Sequence, residues 1–424
     1  MDALKFITCG SVDDGKSTLI GRLLVDTQAV LSDQLAGVQR RGMTDLALLT
    51  DGLSAEREQG ITIDVAHRYF STAKRKFIIG DTPGHEQYTR NMVTAASTAD
   101  AAVVLVDASK IEGDSDTASL LPQTMRHSLL VHLLRVPSLV FAVNKLDAVK
   151  DAPHSFERIR RALLAFTRDA GIPAPAIIPI SALLGWNVVQ AHSEWCGYDG
   201  PSLLSLLEKM PNTPVDDALD AAFPVQWVEK NHDAAQTEMG RRVFWGRLAC
   251  GTLRLGQTLQ VFPSGQTARV ARLLDAVRET RHAIAVHSAG VILDREIDVS
   301  RGDWLLADTG CPSWREIVAT LAWMDDAPLQ TGRVYWALHG RRWVKAKVTA
   351  IEHRLDIQTL APTPAEQLLT NEVGRVRLQL QQAIPCLPYT RSRGLGAMVL
   401  VDTTSHQTSA AVLIEGSTSN GKPE

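Results

Sequence analysis

Eight residues near the amino terminus, Gly10-Ser11-Val12-Asp13-Asp14-Gly15-Lys16-Ser17, have the types and spacing of a phosphate-binding loop, G-x-x-x-x-G-K-S/T. Glycines let a backbone curl tightly enough for its N–H groups to surround a phosphate. Lys16 would bring positive charge to the β- and γ-phosphates, and the Ser17 hydroxyl would be a ligand for Mg²⁺. The helix that opens at Lys16 would add the partial positive charge of its N-terminus. An apolar strand precedes the motif and a helical stretch follows it, which is the context it requires. A second match in spacing, Gly416 to Lys422, has Pro423 in place of Ser/Thr and reads as part of a polar tail.

Three further elements follow in order. Asp81-Thr82-Pro83-Gly84-His85 closes an apolar segment; its aspartate suits the water shell of Mg²⁺, and Gly84 offers a close backbone N–H to a γ-phosphate. Asn144-Lys145-Leu146-Asp147 closes another. The Asp147 carboxylate can accept from both N1–H and the 2-amino group of guanine, a donor pair that adenine lacks, so this element selects GTP over ATP. Lys145 can lay its stem along the base. Ser181-Ala182-Leu183 would complete the base pocket with a backbone N–H. Between the phosphate loop and Asp81 lies Glu56-Arg-Glu-Gln-Gly-Ile-Thr-Ile-Asp64, in which Thr62 is placed to reach Mg²⁺ only when a γ-phosphate is present. The metal set is therefore Ser17, Thr62 and, through water, Asp81.

Such residues need a rigid platform. Leu4–Cys9, Phe77–Asp81, Ala101–Asp107, Leu139–Asn144 and Ala176–Ile180 are short and apolar, the pattern of strands buried on both faces. Lys16–Val30, Gln87–Thr98, Pro122–Leu134 and Phe156–Asp169 have helical spacing. The alternation predicts an α/β domain, residues 1–210, with a mostly parallel sheet, helices on both faces and ligands at the strands' carboxyl ends. A polar, proline-punctuated stretch, 211–222, reads as a linker. Short alternating segments then predict two small antiparallel β-barrels, 223–312 and 313–414, and a disordered tail, 415–424. We find no internal repeat.

Composition bounds the function. With 45% hydrophobic and 21% charged residues and a formal charge of −3, the chain has no global basic field for nucleic acid or anionic lipid. Its five cysteines are scattered, with no CxxC pair and no Cys/His cluster, so neither disulfides nor zinc is expected. The amino terminus lacks a signal-peptide pattern and no apolar run is long enough for a membrane helix; the expectation is a cytoplasmic protein.

Together these elements resemble the translation-factor GTPases typified by elongation factor Tu. The DTPGH form is more specific than DxxG, and the resemblance implies that His85 orients the attacking water, flanked by Val12 and Ile61, with Lys16 and Thr62 as further catalytic residues. Longer stretches, VDDGKSTLIGRLL from Val12, DLALLTDGLSAEREQGITIDVAHRYFSTAKRKFIIGDTPGH from Asp45, and NKLD, resemble more narrowly the family of large, GTPase subunits of bacterial sulfate adenylyltransferase. In that family Asp14 stands where elongation factor Tu has histidine. The resemblance implies GTP and Mg²⁺ as cofactors and a catalytic small subunit as partner, in a heterodimer or higher heteromer. That subunit would make adenosine 5′-phosphosulfate and pyrophosphate from ATP and sulfate. Three departures stand out: a short region between Arg22 and Leu53, an acidic insertion at Ile111–Leu121, and a divergent second domain. The alternative is a translation-type carrier of aminoacyl-tRNA, for which the basic run Arg341, Arg342, Lys345 and Lys347 would be the contact.

Overall fold

A computed structural model describes residues 3–30, 39–40, 43–44, 46, 49, 62, 64–111, 118–213, 216, 218–230, 242–285, 287–307, 311–356 and 361–418. The chain forms two compact units, Met1–Pro214 with Asp356–Ala361, and Val215–Leu355 with Pro362–Glu424.

The first unit is a six-stranded sheet flanked by helices. Its strands are β1 (Leu4–Cys9), β2 (Ala66–Ser71), β3 (Lys76–Asp81), β4 (Ala101–Asp107), β5 (Ser138–Asn144) and β6 (Ala176–Pro179), in spatial order β2-β3-β1-β4-β5-β6. All neighbours run parallel except the edge strand β2, which is antiparallel to β3. The register sets Thr8 against Asp81 and Asp107 against Asn144, so the functional segments leave the sheet along one edge. β4 is buried along its whole length, as a central strand covered on both faces must be.

Helices α1 (Lys16–Asp26), α2 (Thr89–Ala96), α3 (Pro122–Leu133), α4 (Ala152–Asp169) and α5 (Leu203–Lys209) complete the unit. One face of α1 packs Leu19, Ile20 and Leu23 against Phe6, Phe77 and Leu105 in a single cluster. Phe70 stacks on Phe77 at 4.6 Å, and Phe6 meets both rings edge-on. Burial of each such side chain contributes about 1.5–3 kcal/mol.

Several boundaries differ from the sequence pattern. The spacing predicts α1 through Val30, but Thr27 turns its hydroxyl back onto Leu23 O at 2.6 Å and Gln28 takes φ 58°, ending the helix at Asp26. α4 begins four residues before the expected Phe156, because Asp151 accepts from His154 N–H at 3.0 Å and Pro153 suits a first turn. α2 is shorter than Gln87–Thr98, since Glu86–Tyr88 forms a 3₁₀ turn instead. Neither β2 nor α5 was expected. α5 has only seven residues, capped where the Ser202 hydroxyl accepts from Ser205 N–H.

In the second unit two large antiparallel sheets follow one another, and two separate two-stranded sheets accompany them. β7 (Ala222–Pro224), β8 (Trp227–Lys230), β9 (Arg242–Arg247), β10 (Thr252–Arg254), β11 (Thr258–Phe262), β12 (Thr267–Leu274), β13 (Thr280–Arg281), β14 (Ala283–Ala285), β15 (Ser288–Leu293) and β16 (Trp304–Ala307) make the first, except that β10 and β14 pair with each other in a separate two-stranded sheet. Its main path runs β8-β9-β15-β12-β11-β16-β7, and since β7 and β8 are one continuous stretch of chain, the sheet returns on itself.

The second large sheet comprises β17 (Ser313–Trp323), β19 (Val334–His339), β20 (Arg342–Leu355), β21 (Pro362–Thr363), β23 (Val373–Pro385), β24 (Ala397–Asp402) and β25 (Thr408–Ser417), while β18 (Leu329–Gln330) and β22 (Gln367–Leu368) pair with each other in a separate two-stranded sheet. Its strands β19-β24-β25-β17-β23-β20 close through a β19–β20 pairing. β25 continues through Ser417, past the expected start of the tail at 415, because Gly416 and Ser417 pair with Val318 and Ile317. A strand therefore does precede the second glycine-lysine match; its residues from 419 on lie outside the described ones.

Between the two barrels Trp304 stacks on His339 at 5.0 Å, and His339 Nε2–H donates to Leu395 O at 3.0 Å. Burial pushes the His339 imidazole down to about 4, so it is neutral. Arg342 lies over the Phe262 ring at 5.8 Å and pairs with Asp303 at 3.4 Å.

Candidate nucleotide site

The loop between β1 and α1 needs its glycines for space. Gly15 has φ 93°, and a Cβ there would stand 2.5 Å from Asn144 Nδ2. Within the loop, Asp14 Oδ2 accepts the Ser11 N–H at 2.6 Å while its Oδ1 pairs with Lys110 at 3.0 Å. Burial pushes the Asp14 carboxyl upward, against the pull of Lys110 and Lys16. Asp14 thus braces the loop.

Lys16 is 6% exposed. Its ammonium donates to Ser11 O at 2.7 Å and Gly10 O at 3.4 Å. Burial lowers its pKa, and Asp14 and Asp81 act in the opposite direction. A buried cation resting on carbonyl oxygens, with no carboxylate in direct contact among the described residues, is poised to exchange them for phosphate oxygens. Gly84 comes so close that a Cβ on it would lie 2.5 Å from Lys16 Nζ and 2.9 Å from the Ser11 carbonyl. The two loops therefore touch backbone to backbone where a terminal phosphate would sit.

Asp81 is buried at the end of β3 and accepts from the Thr8 hydroxyl at 3.4 Å; the Thr82 hydroxyl donates to Thr8 O at 2.6 Å. Pro83 is buried beside them, whereas His85 is exposed, with its ring edge-on to Tyr88 at 6.2 Å. Val12, Ser17 and Thr62 are half-buried, and Asp13 is exposed with φ 62°. Residues 56–61 and 63, which include Ile61, lie outside the described ones, as do 112–117 of the acidic insertion.

On the base side, Asn144 is a strut. Its Nδ2 donates to Asp14 O at 2.9 Å and its Oδ1 accepts the Ala182 N–H at 3.0 Å, tying the phosphate loop to the Ser181–Leu183 turn. Lys145, at φ 62°, donates to Asp13 O at 2.6 Å and Asp107 Oδ2 at 2.7 Å. Its stem is thereby stretched across the place expected for a base. Leu146 is buried and anchors a 3₁₀ turn that leaves Asp147 exposed and facing solvent. Burial works to raise the Asp107 carboxyl, but hydrogen bonds from Lys145 and Ser109 hold it below its ordinary value.

Sequence reasoning missed a buried group on α3. His127 Nδ1 accepts the Gly10 N–H at 3.1 Å, Gln123 lies 2.9 Å from its Nε2, and Gln123 Nε2 is 3.4 Å from Gly84 O. Burial pushes His127 down to about 3, so it is neutral and can accept from Gly10. The i, i+4 spacing of two polar residues on a helix meant to be buried was the available signal. Asp107, the one charge ending a wholly apolar strand, was another. Among the described residues no three His, Cys, Asp or Glu side chains converge as a metal cage.

Residues 1–279 match the model of the elongation factor Tu GTP binding domain, and residues 316–415 match that of the GTP-eEF1A C-terminal domain-like family. The chain is 46% identical to the bifunctional enzyme CysN/CysC of Xylella fastidiosa, over 96% of this chain and 65% of that one. It is 43% identical to sulfate adenylyltransferase subunit 1 of Laribacter hongkongensis, over 97% of this chain and 85% of that one. Among solved structures, a bacterial selenocysteine-specific elongation factor, EF-Sec, aligns over 98% of this chain and 58% of that chain at 19% identity and a TM-score of 0.46. With family-model and relative matches of this extent, the chain belongs to the sulfate adenylyltransferase subunit 1 family, among the GTPases that carry the elongation factor Tu GTP binding domain.

Proposed function

We propose that this chain binds GTP with Mg²⁺ along the carboxyl edge of its sheet and hydrolyses it on behalf of a partner subunit. That partner would convert ATP and sulfate to adenosine 5′-phosphosulfate and pyrophosphate, an uphill reaction that GTP hydrolysis drives. The observation that carries the reading is the contact of Gly84 with Lys16 and Ser11, in a chain 43% identical to a sulfate adenylyltransferase subunit 1.

The site residues take these roles. Gly10 to Ser17 enclose the phosphates, and Lys16 leaves its carbonyl partners for the β- and γ-oxygens. The donors at hand for a metal, the Ser17 and Thr62 hydroxyls and the buried Asp81 carboxylate, are hard oxygens of the kind Mg²⁺ takes. Ser17 and Thr62 would hold the ion directly and Asp81 through water, and it would neutralise charge on the phosphoryl oxygens. Gly84 supplies a backbone N–H at the γ-position, and His85, exposed beside it, orients the attacking water. Asn144 and Asp147 select guanine.

The test is to co-express the chain with the catalytic subunit from its own genome. GTP hydrolysis is then measured with and without ATP plus sulfate. We expect stimulation by ~10³–10⁵, as when a partner completes a GTPase site, together with adenosine 5′-phosphosulfate. A flat rate without product would refute the coupling role. GTP-dependent retention of tRNA in a gel shift would favour the translation-type alternative, which the spent Arg342 does not encourage.

A further inference from the structure

The turn from Ser181 to Gly185, at the carboxyl end of β6, is held from two sides. From within, Ser181 N–H donates to Trp186 O at 3.1 Å, Gly185 N–H to Ser181 O at 2.8 Å, and Leu184 N–H to the Ser181 hydroxyl at 3.1 Å. Ala182 N–H is taken by Asn144. From outside, Arg22 on α1 donates through Nε to Ala182 O at 3.3 Å and through a terminal nitrogen to Leu183 O. Its other terminal nitrogen pairs with Asp26 at 3.5 Å.

This accounting leaves the Leu183 N–H as the one amide from Ser181 to Gly185, apart from Ala182's already bound one, with a donor not used inside the turn or by Asn144 among the described residues. Its peptide unit is the one whose oxygen Arg22 holds. A guanidinium on that oxygen fixes the peptide plane and polarises the N–H into a stronger donor. The Leu183 side chain is 62% exposed, so packing does not hold the residue in place.

Resting on the guanine-nucleotide reading above, we propose that Arg22 is a positioning residue for base selectivity, locking the Ala182–Leu183 peptide so that its N–H meets an acceptor at the purine 6-position. Guanine and hypoxanthine carry an oxygen there. Adenine and 2,6-diaminopurine carry an amino group, which would set one donor against another. Asp147 reads N1–H and the 2-amino group; diaminopurine lacks N1–H as well as the 6-oxygen, so the Arg22 contribution is read from the change that its substitution causes rather than from the wild-type preference. Lysine cannot replace Arg22, because a single ammonium on a flexible stem does not span two carbonyls and a carboxylate as a planar fork does.

The test is competition of unlabelled diphosphates against a fluorescent GDP analogue on the full chain, comparing wild type, Arg22→Ala and Arg22→Lys. Both variants are expected to weaken GDP and inosine diphosphate together, by about tenfold for one positioned hydrogen bond. The diphosphate of 2,6-diaminopurine riboside, already weak, is expected to change less than twofold, so 6-position discrimination shrinks while the GDP-to-IDP ratio stays constant. Equal weakening of all three nucleotides, or wild-type behaviour in Arg22→Lys, would overturn the proposal. A wild-type protein that does not prefer GDP over the diaminopurine diphosphate would instead overturn the guanine reading itself.

Discussion

Replacing Asn144 with alanine tests whether the phosphate loop and the base turn are one preassembled unit. The side chain is 3% exposed and makes two hydrogen bonds, to Asp14 O at 2.9 Å and from Ala182 N–H at 3.0 Å. Asn144→Ala strands a buried carbonyl and a buried amide, each costing about 1–3 kcal/mol, so the sum is about 2–6 kcal/mol. The cost falls first on the nucleotide-free protein and lowers its urea midpoint. It reaches binding as well, because two loosened loops must then be ordered by the ligand. About 3 kcal/mol of that kind raises the GDP dissociation constant by about 10²-fold. Asn144→Asp keeps the acceptor for Ala182 but sets a carboxylate oxygen against Asp14 O, so its affinity should be no better than that of the alanine variant. Stopped-flow release of a fluorescent GDP analogue and urea unfolding measure the two effects separately. Affinity within twofold of wild type together with an unshifted midpoint would refute the strut, and lost stability with unchanged affinity would refute preassembly.

Three other outcomes follow from the same geometry. His85→Ala is expected to keep its GTP affinity and its melting temperature, since the side chain is exposed, yet to lose most partner-stimulated hydrolysis; unchanged stimulated turnover would remove His85 from the mechanism. In Gly84→Ala the lysine end can move aside, but the Ser11 carbonyl at 2.9 Å is backbone, so overpacking of about 1–3 kcal/mol and weaker GTP binding should appear together in melting and titration experiments. Hydrogen bonds from Ser405 and Thr404 N–H, joined by Arg333, hold the Asp402 carboxyl at about 2, below its unfolded value of about 3.9. Its stabilisation is therefore complete above the unfolded value and lost as pH falls through the folded one. The urea midpoints of wild type and Asp402→Asn should separate at pH 7 and converge towards pH 2.

Much of the first unit was legible in its sequence because buried parallel strands must be short, apolar and closed by turn residues. Leu4–Cys9 and Ala101–Asp107 emerge with the expected ends. β2 was not legible: an edge strand half open to solvent carries His67, Arg68 and Tyr69, which look like loop composition. The phosphate loop and NKLD could be read because each is local in sequence. The groups that brace them could not. His127 meets Gly10 across 117 residues, and Arg22 meets Ala182 across 160, so no spacing rule connects them. Arg342 looked like one charge in a basic run, but its place between Asp303 and the Phe262 ring is set by tertiary contacts alone.

The stack of Trp304 on His339 has a mechanical meaning. The imidazole is neutral, so the joint does not loosen with modest changes in acidity. Leu395 is pinned to the same ring, and the Asp303–Arg342 pair clamps the seam at a second point. A connection fixed at two points resists twisting as well as stretching. Turning one barrel against the other would therefore break both contacts at once.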